Sequence, residues 1–171
     1  MKKFTLLVLG LTIVCLSLAF TCFAADKPKE IGKEEHWVAY DDGTVLDTKT
    51  GLMWASESSK PMKWIDAKAY IDNYKGSGYT DWRFPTTVEL ESLFDPWLTP
   101  ATSKTGAVMG TFYLTKYIKL QAKAPWTAEK KSRDETGNTR RVFDFERGAS
   151  FFAVKTGTIN SAALPVRDTK K

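Results

Sequence analysis

The chain has 171 residues, a formal net charge of +5, one histidine and two cysteines. That length suits one domain with a core of its own. One histidine and two cysteines leave little material for a zinc centre, a Cys–His pair or a serine–histidine relay.

The N-terminus, "MKKFTLLVLGLTIVCLSLAFTCFAADKPKE", places Lys2 and Lys3 before an apolar run over residues 4–20 and the small residues Ala24 and Ala25. This is the layout of a bacterial secretory signal over residues 1–24, with cleavage expected before Ala25. An uncleaved anchor is the alternative, because the run approaches the roughly 18 residues that a membrane span needs. Lipid attachment at Cys22 fits poorly with the preceding Phe20 and Thr21. Both cysteines, Cys15 and Cys22, lie in this segment, so a processed chain has no thiol and no disulfide. It also loses Lys2 and Lys3, and its charge falls to about +3. The expected location is the periplasm or the exterior. There an excess of basic charge points to acidic polysaccharide or an envelope surface as the partner, not to nucleic acid, and no membrane span remains after cleavage.

Residues 25–35, "ADKPKEIGKEE", read as a flexible leader that precedes a first strand at 37–40. The segment "HWVAYDDGTVLDTKTGLMW" has hairpin grammar: strands at 37–40, 44–47 and 52–54, with turns at Asp42-Gly43 and at residues 48–51. The period then changes. Trp64, Ala67, Ile71 and Tyr74 fall on one face of a predicted helix, which "GSGYTD" ends. In "DWRFPTTVEL", Pro85, Thr86 and Glu89 form a capping box that launches a second helix. Asp95-Pro96 stops it. Residues 96–110 read as a long connection, and "TFYLTKYIKLQ" as a strand or a helix. Strand grammar returns with Trp126, a polar loop at 130–138, "TRRVFDFE", a turn at Arg147-Gly148, "SFFAVK" and "ALPVRD". The sum is an α+β domain, two short helices on a twisted antiparallel sheet or meander, over residues 41–168.

Catalytic signatures are missing from the sequence. There is no G-x-S-x-G, no phosphate-binding glycine loop and no H-E-x-x-H. His36, at the edge of the leader, is expected to be structural or solvent-exposed. Acid pairs such as Asp81 with Glu89 or Asp144 with Glu146 are easily drawn, but their spacing favours none of them as a glycosidase pair. Asp41, Asp42 and Asp47 fit turn chemistry better than a calcium loop. The chain is therefore expected to be non-enzymatic, with no cofactor and no metal. Basic residues do gather: Lys130, Lys131, Arg133, Arg140 and Arg141 around one loop, with Lys116, Lys119 and Lys123 secondary. Arginine forks there would take anions bidentately. Trp54, Trp64, Trp82, Arg83, Pro85, Thr86, Glu89, Trp126 and Arg167 are the expected structural residues. Arg83 should be paired with a carboxylate or with carbonyls of the last strands.

The ordered blocks "DGTVLDTKTGLMW", "WIDAKAYIDNY", "GYTDWRFPTTVELESL", "PWTAE" and "LPVRD" resemble the C-terminal domain family of the Legionella collagen-like protein. The resemblance covers about residues 41–168. The family in turn is similar to C-type-lectin-like domains of the formylglycine-generating-enzyme kind, so it implies that fold. It also implies binding of sulfated polysaccharide and self-association as a trimer. This chain lacks the Gly-X-Y stalk that accompanies trimerisation, and a processed chain lacks the cysteines that formylglycine generation needs. Members often carry cysteines where this chain has Ile71 and Pro165, so the resemblance implies that these two regions lie side by side. Members also usually have a Tyr-Trp-Ser-Ser-Thr-like stretch where this chain has Pro125, Trp126 and Thr127. A structural or protein-interaction subunit of an envelope assembly is the rival function.

Overall fold

The Asp42-Gly43 turn sets the register of the N-terminal sheet. Gly43 adopts φ +81°, a conformation that side chains with a Cβ rarely take. Asp42 Oδ1 accepts hydrogen bonds from the Thr44 N–H and hydroxyl at 3.0 and 2.7 Å. The turn thereby joins β2 (Trp37–Tyr40) to β3 (Thr44–Asp47). Asp47 caps the next turn in the same way, accepting from the Lys49 and Thr50 N–H groups and the Thr50 hydroxyl. The chain then enters β4 (Leu52–Ala55). The computed structural model describes residues 27–97, 101–103, 110–130, 137–157 and 160–170. The signal-like segment 1–24 lies outside them.

Residues 30–34, expected to belong to an unfolded leader, instead form β1 (Glu30–Glu34), antiparallel to β2 with an irregularity between Glu30 and Gly32. Its side chains are mostly exposed, so backbone pairing holds it without the apolar alternation that reveals a strand in sequence. Its charges also suit an edge, where they discourage further strand pairing. The sheet runs β1-β2-β3-β4 and then β9 (Val166–Asp168), with every neighbouring pair antiparallel. Its last member comes from the far end of the chain.

Two helices follow the sheet's first four strands. In α1 (Trp64–Asn73), Ala67 and Ile71 are buried, and Tyr74 caps the C-terminus instead of extending the helix. In α2 (Thr87–Leu93), Thr87, Leu90 and Leu93 face inward. The long connection is not wholly irregular, since β5 (Ala101–Ser103) pairs with β6 (Gly110–Phe112). "TFYLTKYIKLQ" is neither one strand nor a helix. After Phe112 its backbone bonds go to scattered partners: Tyr113 to Asp95 and Phe145, and Lys119 to Ser56 and Ser58. Phe112, Leu114, Ile118 and Leu120 are nonetheless buried. Trp126 sits in an isolated bridge to Val142, beside the hairpin of β7 (Thr139–Asp144) and β8 (Ala149–Val154).

The main core lies between the five-stranded sheet and α2. It joins Trp37, Val45 and Trp54 to Leu90, Leu93, Phe143 and Phe145. A smaller cluster under α1 joins Ala67 and Ile71 to Ala124, Trp126, Val142 and Ala163. Ile71 thus belongs to the same buried cluster as Ala163, two residues before Pro165. Fully burying a large apolar side chain contributes about 1.5–3 kcal/mol, so Trp54 and Trp126, both at 0% exposure, are major contributors. The molecule is an α+β domain, and none of its described helices is long and apolar enough to cross a membrane.

Candidate functional site

The residues of "DWRFPTTVEL" have structural partners. Thr86 accepts from the Glu89 N–H, and the Glu89 carboxylate accepts from the Thr86 N–H, completing the capping box. Arg83 donates to both Glu89 oxygens at 2.8 and 2.7 Å and to Asp168 on β9 at 3.3–3.4 Å. Its backbone also exchanges two hydrogen bonds with Val166. Beside it, Asp81 receives Arg167 at 2.7 and 3.2 Å, while the Arg167 guanidinium lies 3.8 Å from the Tyr79 ring centre. The buried Trp82 donates its indole N–H to Gly76 O. Burial pushes the Glu89 carboxyl upward, but the hydrogen bonds from Arg83 and Thr86 and the Arg83 charge outweigh it, leaving its pKa below the ordinary value. The Glu89 hydrogen bond correspondingly raises Arg83, against the opposing effect of burial. The stretch is thus a clasp: it ties the start of α2 to the last strand.

The described members of the basic group singled out in the sequence do not form one ledge. Lys131 and Arg133 lie outside the described residues. Lys130 and Lys119 are exposed. Lys116 pairs with Glu34 at 3.1 Å, and that hydrogen bond raises its pKa. Lys123 pairs with Glu146 at 2.7 Å and lies 3.8 Å from Asp144. Arg140, expected to project as an anion fork, is 7% exposed and donates to the Gly137 and Thr139 carbonyls. Arg141 pairs with Glu129 at 3.2 Å, donates to the Ser150 hydroxyl and stacks on Phe152. Adjacent residues of a strand point to opposite faces, so Arg140 and Arg141 cannot serve one surface together.

A different cationic grouping centres on Trp64. Its indole stacks on Phe84, with ring centres 6.0 Å apart and planes 12° from parallel. The Arg140 guanidinium lies 4.3 Å from the Trp64 ring centre, and Lys155 Nζ lies 5.3 Å from it. Such contacts contribute about 0.5–1 kcal/mol each when exposed, and up to about 2 when desolvated. The backbone fixes the arrangement. Trp64 N–H donates to Lys155 O at 3.0 Å, and Lys155 N–H donates to Asn138 O at 2.9 Å. The exposed Lys63 immediately precedes Trp64 and caps α1 without a side-chain hydrogen bond. Asp66, in the first turn of α1, offsets part of this charge. Among the described residues, neither Lys63 nor Lys155 is ion-paired. The sequence reading took Trp64 as structural and missed Lys155. The one available signal was the position of Lys155 at the end of the "SFFAVK" strand, next to the polar loop.

His36 lies 3.8 Å from both Glu35 and Asp47 and tilts against Trp37, with ring centres 4.7 Å apart. Among the described residues, no group of three or more His, Cys, Asp or Glu side chains is arranged to hold a metal ion.

No curated protein matches the chain. The family model described as the Lcl C-terminal domain matches residues 43–167, from the β3–β4 hairpin through both helices to Arg167 in β9; β1, β2 and Asp168 lie outside the match. The chain belongs to the Lcl C-terminal domain family.

Proposed function

We propose that the protein is an exported, non-catalytic domain that binds a polyanionic glycan, sulfated or carboxylated, or an acidic component of the cell envelope. The contact surface is the ledge of Lys63, Trp64 and Lys155, with the buried Arg140 charge against the same indole. The observation that carries this reading is the pair of cations held against the Trp64 indole. Lysines with no carboxylate partner keep their donors for a ligand, and a buried guanidinium raises the potential above them. Acidic sugars would meet ammonium groups while packing a C–H face on the indole edge. The domain works in the periplasm or outside the cell after loss of residues 1–24.

A glycan array probed at low and physiological salt tests this. Sulfated and carboxylated glycans should dominate at low salt and weaken as added ions screen exposed charges. Binding confined to neutral glycans would contradict it.

A second reading, an interaction subunit of an envelope assembly, is favoured by Trp97, which is 92% exposed just beyond α2. Loss of co-purifying partners in Trp97→Ala, with glycan binding retained, would separate it from the first.

A further inference from the structure

A cavity of about 540 Å³ opens on the other flank of α1, between the Asp42-Gly43 turn and the segment that follows β4. Its volume lies within the roughly 300–1,000 Å³ range of small-ligand sites. Tyr70 and Tyr74, one helical turn apart on the groove side of α1 and its cap, line one wall, together with Met62. Their ring centres are 5.5 Å apart and their planes are tilted by 32°, which makes a shallow aromatic concavity. Tyr74 is braced from behind, edge-on to Trp82 with ring centres 5.2 Å apart. Gly76 leaves room for it: a Cβ there would sit 2.6 Å from the Tyr74 ring.

Asp42, Glu57 and Lys60 supply the charged groups of the cavity. Asp42 uses one oxygen in its own turn, and Glu57 receives Gln121 Nε2 on one oxygen at 2.9 Å. The second oxygen of each has no hydrogen-bond partner among the described residues. Burial, then the nearby Glu57 charge, raises the Tyr70 phenol; burial, then Tyr70 and Asp42, raises Tyr74. Both phenols therefore remain protonated and able to donate at neutral pH. Ser58 and Ser59 contribute shape more than chemistry, since their hydroxyls are engaged within the fold.

We propose that this groove binds an uncharged pyranose. Its carboxylates would accept hydrogen bonds from ring hydroxyls, and its tyrosines would pack against the C–H face and donate to sugar oxygens. Two carboxylates against one ammonium make the groove unfavourable for a polyanion. It is therefore a site separate from the Trp64 ledge, and its occupancy does not depend on that ledge. The two sites would let the domain grip an uncharged sugar and an acidic group together.

Saturation-transfer NMR on the processed protein recovered from its host, with cellobiose, lactose and N,N′-diacetylchitobiose as probes, tests the proposal. At least one of these disaccharides should bind, and its affinity should be about ten-fold weaker in Glu57→Gln, the effect expected for loss of one charge-assisted hydrogen bond. Tyr70→Ala should weaken it comparably, with thermal melting checking that the variant is folded. Lys155→Ala, or about 0.5 M NaCl, should leave it unchanged, because no ligand charge is available to screen. No transfer to any of the three sugars, or equal transfer in Glu57→Gln, would overturn the proposal. So would displacement of the bound sugar by a heparin tetrasaccharide that Lys155→Ala abolishes, or binding of lysine methyl ester in place of the sugars. Failure of the ledge to bind polyanions would leave the disaccharide binding and its dependence on Glu57 and Tyr70 unaffected.

Discussion

The clasp and the Trp64 ledge both contain arginine beside aromatic rings, yet they use the charge differently. In the clasp, Arg83 and Arg167 meet carboxylates on residues up to 86 positions away, Asp168 and Asp81. Each pair joins distant parts of the chain and consumes its donors inside the protein. At the ledge, Arg140 meets carbonyls and an indole, and Lys155 meets the same indole. The positive charge there is positioned without an ion pair to a described carboxylate. The clasp spends its charge on carboxylates within the fold, even where Arg167 also lies on the Tyr79 ring, whereas at the ledge Lys155 lies beside an indole with no ion pair among the described residues.

Substitutions can break that contrast. The largest effect should come from beneath the ledge: Trp126→Ala empties a fully buried site in the cluster under α1 and should cost about 3–5 kcal/mol of stability in urea unfolding. Arg83→Gln should cost less, about 1–2 kcal/mol after allowance for partial exposure, while leaving polyanion binding intact. Equal loss of binding and stability in that variant would mean that the clasp is not purely structural.

Acid should act on the clasp in the same sense. Glu89 has a folded pKa below its ordinary value of 4.5, so its contribution is present above that value and is lost as pH falls through the lower folded pKa. Melting temperature measured below about pH 4.5 should fall more steeply for the natural protein than for Glu89→Gln. Thr86→Ala removes one side of the capping box and should cost about 1 kcal/mol in the same unfolding assay. Lys155→Ala should change stability least, by about 0.5 kcal/mol for the loss of one cation–aromatic contact, while reducing retention on a polyanion.

Much of this contrast was legible in the sequence, although unevenly. Asp42-Gly43, the Thr86/Glu89 box and the spacing of Ala67 and Ile71 each specify local geometry, and the observed strands and helices follow them. Arg83 between aromatic residues required a partner, and Glu89 and Asp168 supply it. The strand β1 was hidden because backbone pairing alone defines it, and its exposed side chains give no period-two pattern. The buried segment after Phe112 was hidden for the opposite reason: its apolar residues satisfy a core without a regular ladder.

The candidate binding surface was less legible than the fold. Charge counting gathered Arg140 and Arg141 because they are neighbours in sequence, but a strand sends neighbours to opposite faces. Strand assignment of "TRRVFD" already contained that constraint. Lys155 gave no such warning, since its approach to Trp64 depends on how β8 returns beside the start of α1.

The most direct test is the salt concentration at which the protein elutes from immobilised heparin, compared among the natural sequence, Lys63→Ala/Lys155→Ala and Arg83→Gln. The ledge variant should elute at clearly lower salt, and Arg83→Gln should elute with the natural protein. Flow-through of the natural protein at low salt, or elution of the ledge variant together with it, would contradict the assignment of polyanion binding to the Trp64 ledge.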